Sequence, residues 1–267
     1  MTWPEILGLT LAAAAGGAIN AVAGGGTLVT FPTLLFFGTP AIVANATSTL
    51  ALVIGTSGSI YGYRQHLPSV RPWLRSFFPI SIVGGVIGAI WLTHTKERVF
   101  ARLVPFLILF ATVLFMSQGL VRRLFPLNPE PSRDVTSKRA PRQALSMWGP
   151  ILFQLAVAIY GGYFGAGIGI LMLASLGFIG LTNIYEMNTL KTVLGSLINM
   201  VAAIWFMISG LVDWPRAGVM TLGAMTGYFL GAHYSQRVSQ KAVRQIITTI
   251  GFGLAAATFY EQFIKQK

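Results

Sequence analysis

Asn20-Ala21-Val22-Ala23-Gly24-Gly25-Gly26-Thr27 interrupts an apolar run that begins at Trp3 and resumes as far as Phe37. Three consecutive glycines break a helix, since each costs about 1 kcal/mol relative to alanine. At membrane depth such a break is tolerated only where the freed backbone is buried in protein or lines a watery cavity. Beyond the break, the next helix presents unpaired N–H groups and the positive end of its dipole, which suits an anion. A second interruption, Gly161-Gly162-Tyr163-Phe164-Gly165-Ala166-Gly167, lies in the other half of the chain. Close helix packing by small residues is the structural alternative for both.

The flanking runs are long. They are Trp3–Ala23, Thr27–Phe37 (short), Ala41–Tyr63, Trp73–Thr93 and Val99–Val121. In the second half, Met147–Phe164 runs into Ile168–Ile179, followed by Ile184–Leu211, Trp214–Tyr234 and Val243–Ile264. A span needs about 20 apolar residues to cross about 30 Å of hydrocarbon. Composition agrees: of 267 residues, 54% are hydrophobic and only 10% charged, against about 25% charged in soluble domains. So few charges cannot cover a soluble core of this size. The absence of cysteine excludes a disulfide-rich secreted domain. The chain reads as an all-α membrane protein of about eight transmembrane helices in two homologous halves, each with a Gly-rich helix break. The first run, with Glu5 and no basic segment before it, reads as a span rather than a signal peptide. Nineteen Lys and Arg face seven Asp and Glu, a net charge of +12. The basic residues fall in short breaks between apolar runs, as in loops that orient a membrane protein, and no nucleic-acid partner is expected.

Residues 122–146 form the one long polar stretch, with four prolines, six basic and two acidic residues. It reads as a flexible linker between a first membrane repeat, 1–121, and a second, 147–267. The halves match at a nearly fixed offset. Gly24-Gly25-Gly26 falls on Gly165-Ala166-Gly167, 141 residues on. Leu50-x-x-Val53-x-Gly55-Thr56 falls on Leu190-x-x-Val193-x-Gly195-Ser196, 140 on. Trp73-x-Arg75 falls on Trp214-x-Arg216, and Gly84-x-x-x-Gly88-Ala89 on Gly227-x-x-x-Gly231-Ala232. The Trp-x-Arg pairs read as interfacial anchors and the Gly-x-x-x-Gly stretches as packing faces. The linker and the segment Arg64–Arg75 carry nine basic residues and are expected in the cytoplasm. Eight spans with parallel repeats put both termini inside; glycine elbows that turn back as hairpins invert the repeats and put both termini outside. Either way twelve basic residues lie inside and six outside, Lys191 left aside. The length of Trp3–Ala23 favours eight spans.

Several polar residues inside the spans could meet a substrate. Asn20, Gly24, Gly25, Gly26 and Thr27 form the first elbow; Gly165 and Gly167 belong to the second. Asn45, Thr47, Ser48 and Thr49 are matched by Asn188-Thr189-Leu190-Lys191-Thr192. Their amides and hydroxyls can bond a desolvated oxyanion or a carbonyl one turn back in their own helix. Asn199, eleven residues past Asn188, can share its helix face. Lys191 is the most informative residue: a charge at the bilayer centre costs at least about 2.5–3.5 kcal/mol and marks function by default. It could meet an anionic substrate, pair with Glu186, or snorkel. Its counterpart in the first half is Ala51. Glu186 is the one acid placed within a span and is a candidate for proton coupling; His94 and His233 end spans and could also relay protons. No metal-ligand cluster, catalytic triad or phosphate loop is legible, so neither a metal nor another cofactor nor an enzymatic activity is expected.

Ala18 to Leu52, AINAVAGGGTLVTFPTLLFFGTPAIVANATSTLAL, resembles the first-repeat signature of the sulfite exporter TauE/SafE family of membrane transporters. YGGYFGAGIGILML and MNTLKTVLGSLINMVAAIWFMISGLVDW resemble its second repeat, lysine and asparagine included. The resemblance covers all but the linker. It implies a secondary transporter of sulfite, organosulfonates or related small organic acids in a bacterial plasma membrane, energised without ATP. Broken-helix N-termini, Ser, Thr and Asn side chains and one lysine suit such an oxyanion. The other readings are a membrane subunit that anchors a partner through its linker, an anion pore and a membrane enzyme. The expected partners are a small anion and the lipid bilayer; a homodimer is compatible with this reading.

Overall fold

The apolar runs are helical throughout the computed structural model, which describes residues 1–22, 24–62, 67–124, 148–178, 181, 183–234 and 240–263. Ala23 and the linker beyond Leu124 lie outside the described residues. In chain order the helices are α1 (Trp3–Val22), α2 (Thr27–Phe36), α3 (Ala41–Gly62), α4 (Leu67–His94) and α5 (Glu97–Leu124). They continue with α6 (Trp148–Tyr163), α7 (Ile168–Phe178), α8 (Ile184–Ile208), α9 (Trp214–Tyr234) and α10 (Gln240–Phe263). The boundaries have local causes. Asn183 caps α8 by accepting the Tyr185 and Glu186 N–H groups. The Glu97 carboxylate caps α3 from another helix by accepting the Ala41 and Ile42 N–H groups. Helices α2 and α8 end where Gly38 and Gly210 turn left-handed, each closing the last turn with paired backbone bonds.

The sense of each helix follows from which residues face each other. Helix α2 folds back along α1: Gly16 lies against Gly26 and Thr30, and Gly8 against Phe37. The start of α3 therefore lies near the start of α1. Helix α5 begins there too, held by Glu97, and α4 finishes there just before it. Helix α9 runs parallel to α1, with Gly223 on Thr10, Gly227 on Ala14 and Gly231 on Ala18. Helix α6 runs parallel to α4, with Gln154 donating to Ser81 at 3.0 Å and Gly88 against Gly162. In both pairs a side chain at the glycines would collide with the facing backbone, so these helices approach to backbone contact. Since α4 runs opposite to α1, α1 and α6 point in opposite directions.

Two differences from the sequence reading stand out. The piece after the first glycine break, α2, reverses direction along α1 instead of continuing the span. Helix α4 starts at Leu67, well before Trp73, because Val70 is fully buried with Phe77 in a cluster that includes Val157, Met187 and Leu190. Helix α5 likewise runs a turn past the expected start of the linker. Leu67–His94, Glu97–Ser117 and Tyr185–Ile208 are each long and apolar enough to cross a membrane. Trp3, Phe36, Ile208 and Phe229 lie on the outside, where lipid can cover them. At the end where α1 starts, Arg216 bonds Glu5 at 2.7 Å and also pairs with Asp213. The residue expected as an interfacial anchor is thus a tie between α1 and α9.

Candidate functional site

At the first elbow the Gly24 and Gly26 N–H groups are paired, while no acceptor among the described residues bonds those of Gly25 and Thr27. The Gly24 N–H returns to the Ile19 and Asn20 carbonyls at 3.2 Å, ending α1, and Gly24 takes φ +80°, a left-handed value that favours glycine. The Asn20 side-chain oxygen accepts the Gly26 N–H at 3.3 Å, while its amide donates to the Tyr228 hydroxyl of α9. The Tyr228 ring also packs against Gly55 of α3. Gly25 lies under the Phe115 ring of α5, and Gly26 against the Gly16 backbone.

The second elbow is built differently. Phe164 and Gly165 N–H groups share the Tyr160 carbonyl at 2.9 and 3.2 Å, ending α6. Gly165 and Gly167 have φ +80° and +79°, with Ala166 on the negative side between them. Alternation of this kind turns successive N–H groups into one concavity, an anion-binding nest. The Tyr160 hydroxyl holds the turn by donating to the Ala166 carbonyl at 2.7 Å. Among the described residues, no acceptor bonds the Ala166 or Gly167 N–H.

Helix α8 faces this elbow with a half-buried stripe. Asn188, Lys191, Thr192, Gly195 and Asn199 recur at helical spacing, so they share one side. The Lys191 stem lies over Gly169 in the first turn of α7, Gly195 faces Ile168, and the Asn199 side-chain oxygen comes close to Gly165. The positive end of α7 and a lysine are thus concentrated in one place. The two elbows also converge. Gly25 touches Phe115, and Gly167 lies near Ala111 and Leu114, on the same stretch of α5. Phe31 of α2 meets Phe164 edge-on, with ring centroids 5.4 Å apart.

The family model for sulfite exporter TauE/SafE matches residues 9–258. The chain belongs to the sulfite exporter TauE/SafE family. Three relatives, each 26% identical to it, are named as probable membrane transporter proteins. One from Haemophilus influenzae covers 91% of this chain and 90% of its own length. YfcA of Escherichia coli K12 covers 98% and 92%, and ORF9 of a Sinorhizobium species 92% and 89%. No solved structure matches.

In this TauE/SafE chain the other polar residues singled out from the sequence are distributed more widely. The Thr47 hydroxyl accepts the Asp213 N–H at 3.0 Å, Ser48 pairs with Thr30 at 2.6 Å, and Thr49 donates to the Asn45 carbonyl at 2.8 Å. Asn45 reaches the second elbow, donating to the Tyr163 carbonyl at 3.0 Å, and its own side-chain oxygen is buried without a partner. Thr27 opens α2 and is half-buried. Glu186 sits in the first turn of α8, at its edge. Tyr160 and Tyr228 were not singled out, yet each holds an elbow. A tyrosine in the middle of an apolar helix needs a partner for its hydroxyl, and that was the signal available. Among the described residues no group of three His, Asp or Glu side chains could hold a metal ion.

Proposed function

We propose that the chain is a secondary transporter of small sulfur-containing oxyanions, sulfite or an organosulfonate. The anion is held where the second elbow meets α8. The observation that carries this reading is the pair of unpaired N–H groups at Ala166 and Gly167, with Lys191 and Asn199 on the facing stripe. Successive donors at a helix start bind an oxyanion through several oxygens at once. The ammonium of Lys191 compensates the charge that the anion loses contact with water to bring in. Other small organic anions fit the same donors, so the substrate must be identified by competition.

Two halves of inverted topology, residues 1–121 and 147–267, accord with this function. Exchanging α1–α5 for α6–α10 converts the α1–α9 contact into α6–α4, α3–α9 into α8–α4, and α2–α10 into α7–α5. Inverted repeats with broken helices meeting near the midplane are a common build for secondary transporters. With the basic segments in the cytoplasm of a bacterial cell, the termini of such an arrangement face outward. Glu186 is the proposed proton carrier; flux that remains as pH-dependent after Glu186→Gln removes it from that role.

The test is flux into proteoliposomes of radiolabelled sulfite, competed by sulfate, thiosulfate, sulfoacetate and lactate. Saturable uptake blocked by sulfoacetate or thiosulfate, and not by lactate, is expected. Inhibition by lactate alone moves the substrate to carboxylates. No flux from folded protein overturns the reading.

A further inference from the structure

A groove of about 590 Å³ runs between the end of α4, the start of α5 and the end of α6. Its walls include Trp91, Val99, Leu103, Tyr160 and Tyr163. Trp91 and Val99 are well exposed, so the groove opens on the outer flank of the helix bundle. Its polar end is the α4–α5 turn, where the Thr95 and Tyr163 hydroxyls lie 3.5 Å apart. Arg98 and Arg102, one helical turn apart, are exposed beside the Thr95–Val99–Leu103 stripe, and Lys96 is exposed in the turn itself. The nearby acid, Glu97, is engaged with the first N–H groups of α3. Among the described residues no carboxylate pairs with Lys96, Arg98 or Arg102.

We propose that this groove is a binding site for an anionic phospholipid, with an acyl chain along Val99 and Leu103 and the phosphate at Arg98 and Arg102. Three properties select that occupant. The groove is apolar along its length, it opens on the outer flank of the bundle among exposed apolar residues, and its rim at the α4–α5 turn is cationic. Basic residues at the edge of clefts between membrane helices are recognised by anionic headgroups, and long arginine stems let the charge reach the interface. The position also gives the lipid a mechanical role. Tyr160 and Tyr163 wall the groove on one side; on the other, Tyr160 holds Ala166 and the Tyr163 carbonyl is held by Asn45. An occupied groove braces the end of α6 and with it the second elbow. This effect on flux rests on the proposed transport; the lipid site itself does not.

The experiment uses the full chain in phosphatidylcholine nanodiscs doped with photoactivatable phosphatidylglycerol or, separately, photoactivatable phosphatidylcholine, with the labelled peptides mapped. The anionic probe is expected to label residues 91–103 and 156–163 in preference to the lipid-facing surface around Leu222. Val99→Trp, or independently Leu103→Trp, fills the groove and removes that label while gel filtration shows an unchanged protein. Arg98→Gln and Arg102→Gln each lower the preference for the anionic probe by about fivefold. Even labelling of groove and Leu222 surface, label that survives both tryptophans, or equal labelling by the two headgroups would overturn the proposal. Loss of flux with lipid labelling intact would count against the transport reading and leave the lipid site standing.

Discussion

The breaks at Gly24–Gly26 and Gly165–Gly167 lie 141 residues apart in matching contexts, yet their surroundings differ. At the first, Asn20 takes the Gly26 N–H, Phe115 covers Gly25, and Gly16 backs Gly26. At the second, the Tyr160 hydroxyl holds the Ala166 carbonyl and the facing helix brings a lysine stem over Gly169 and an asparagine oxygen close to Gly165. The position equivalent to Lys191 in the first half is Ala51, which is fully buried. Both breaks keep two N–H groups without an acceptor among the described residues, Gly25 and Thr27 at the first and Ala166 and Gly167 at the second, and the first is covered by apolar groups while the second faces polar ones. What separates them is a handful of side chains on the neighbouring helices, not the glycines.

The comparison can be tested through four substitutions, taken from the largest expected effect down. Lys191→Ala is expected to raise the KM for sulfite about 10- to 100-fold, the loss of a charged hydrogen bond worth about 1.5–3 kcal/mol, with expression intact. Lys191→Arg should retain more affinity, and an unchanged KM would remove the lysine from the site. Gly25→Ala drives a methyl into the Phe115 ring and should lower stability by about 1–3 kcal/mol, seen as a reduced Tm. Adding Phe115→Leu should restore it, and the KM should stay level throughout. A change in KM without a change in Tm would mean that the first elbow also binds substrate.

Asn20→Ala leaves the Gly26 N–H without its acceptor and is expected to cost about 1–3 kcal/mol of stability. Here too the thermal unfolding curve should move and the KM should not. Asn199→Ala, at the second elbow, should do the reverse: KM up about 2- to 10-fold for one neutral hydrogen bond, and Tm unmoved. If Asn20 and Asn199 give the same pattern, the two elbows are functionally alike and the distinction between them is lost.

Much of this was legible in the residues. Apolar runs, glycine breaks and a lysine inside a span follow from composition and periodicity, because lipid penalises charge and unpaired backbone wherever they occur. The membrane class and the importance of Lys191 as a candidate could be read in that way. The direction taken after a break could not. Gly24-Gly25-Gly26 permits continuation or reversal equally, and the choice rests on Gly16 and Gly26 meeting backbone to backbone. Nor could the start of α4 be read from hydropathy, since Val70 joins the helix through burial against helices distant in the chain.

The roles of the polar residues divide along the same line. Asn20, Asn45, Thr47 and Asn199 look alike in sequence, each a hydrogen-bonding group among apolar neighbours. Tertiary contacts assign Asn20 to the first elbow, Asn45 to the end of α6 and Thr47 to the loop before α9, and bring Asn199 beside Gly165. Sequence alone determined that this chain is a helical membrane protein with two glycine breaks, because the solvent acts on every residue locally. Only the tertiary structure decided which side chains face each break, because a hydrogen bond depends on what the rest of the fold brings within 3 Å or so of it.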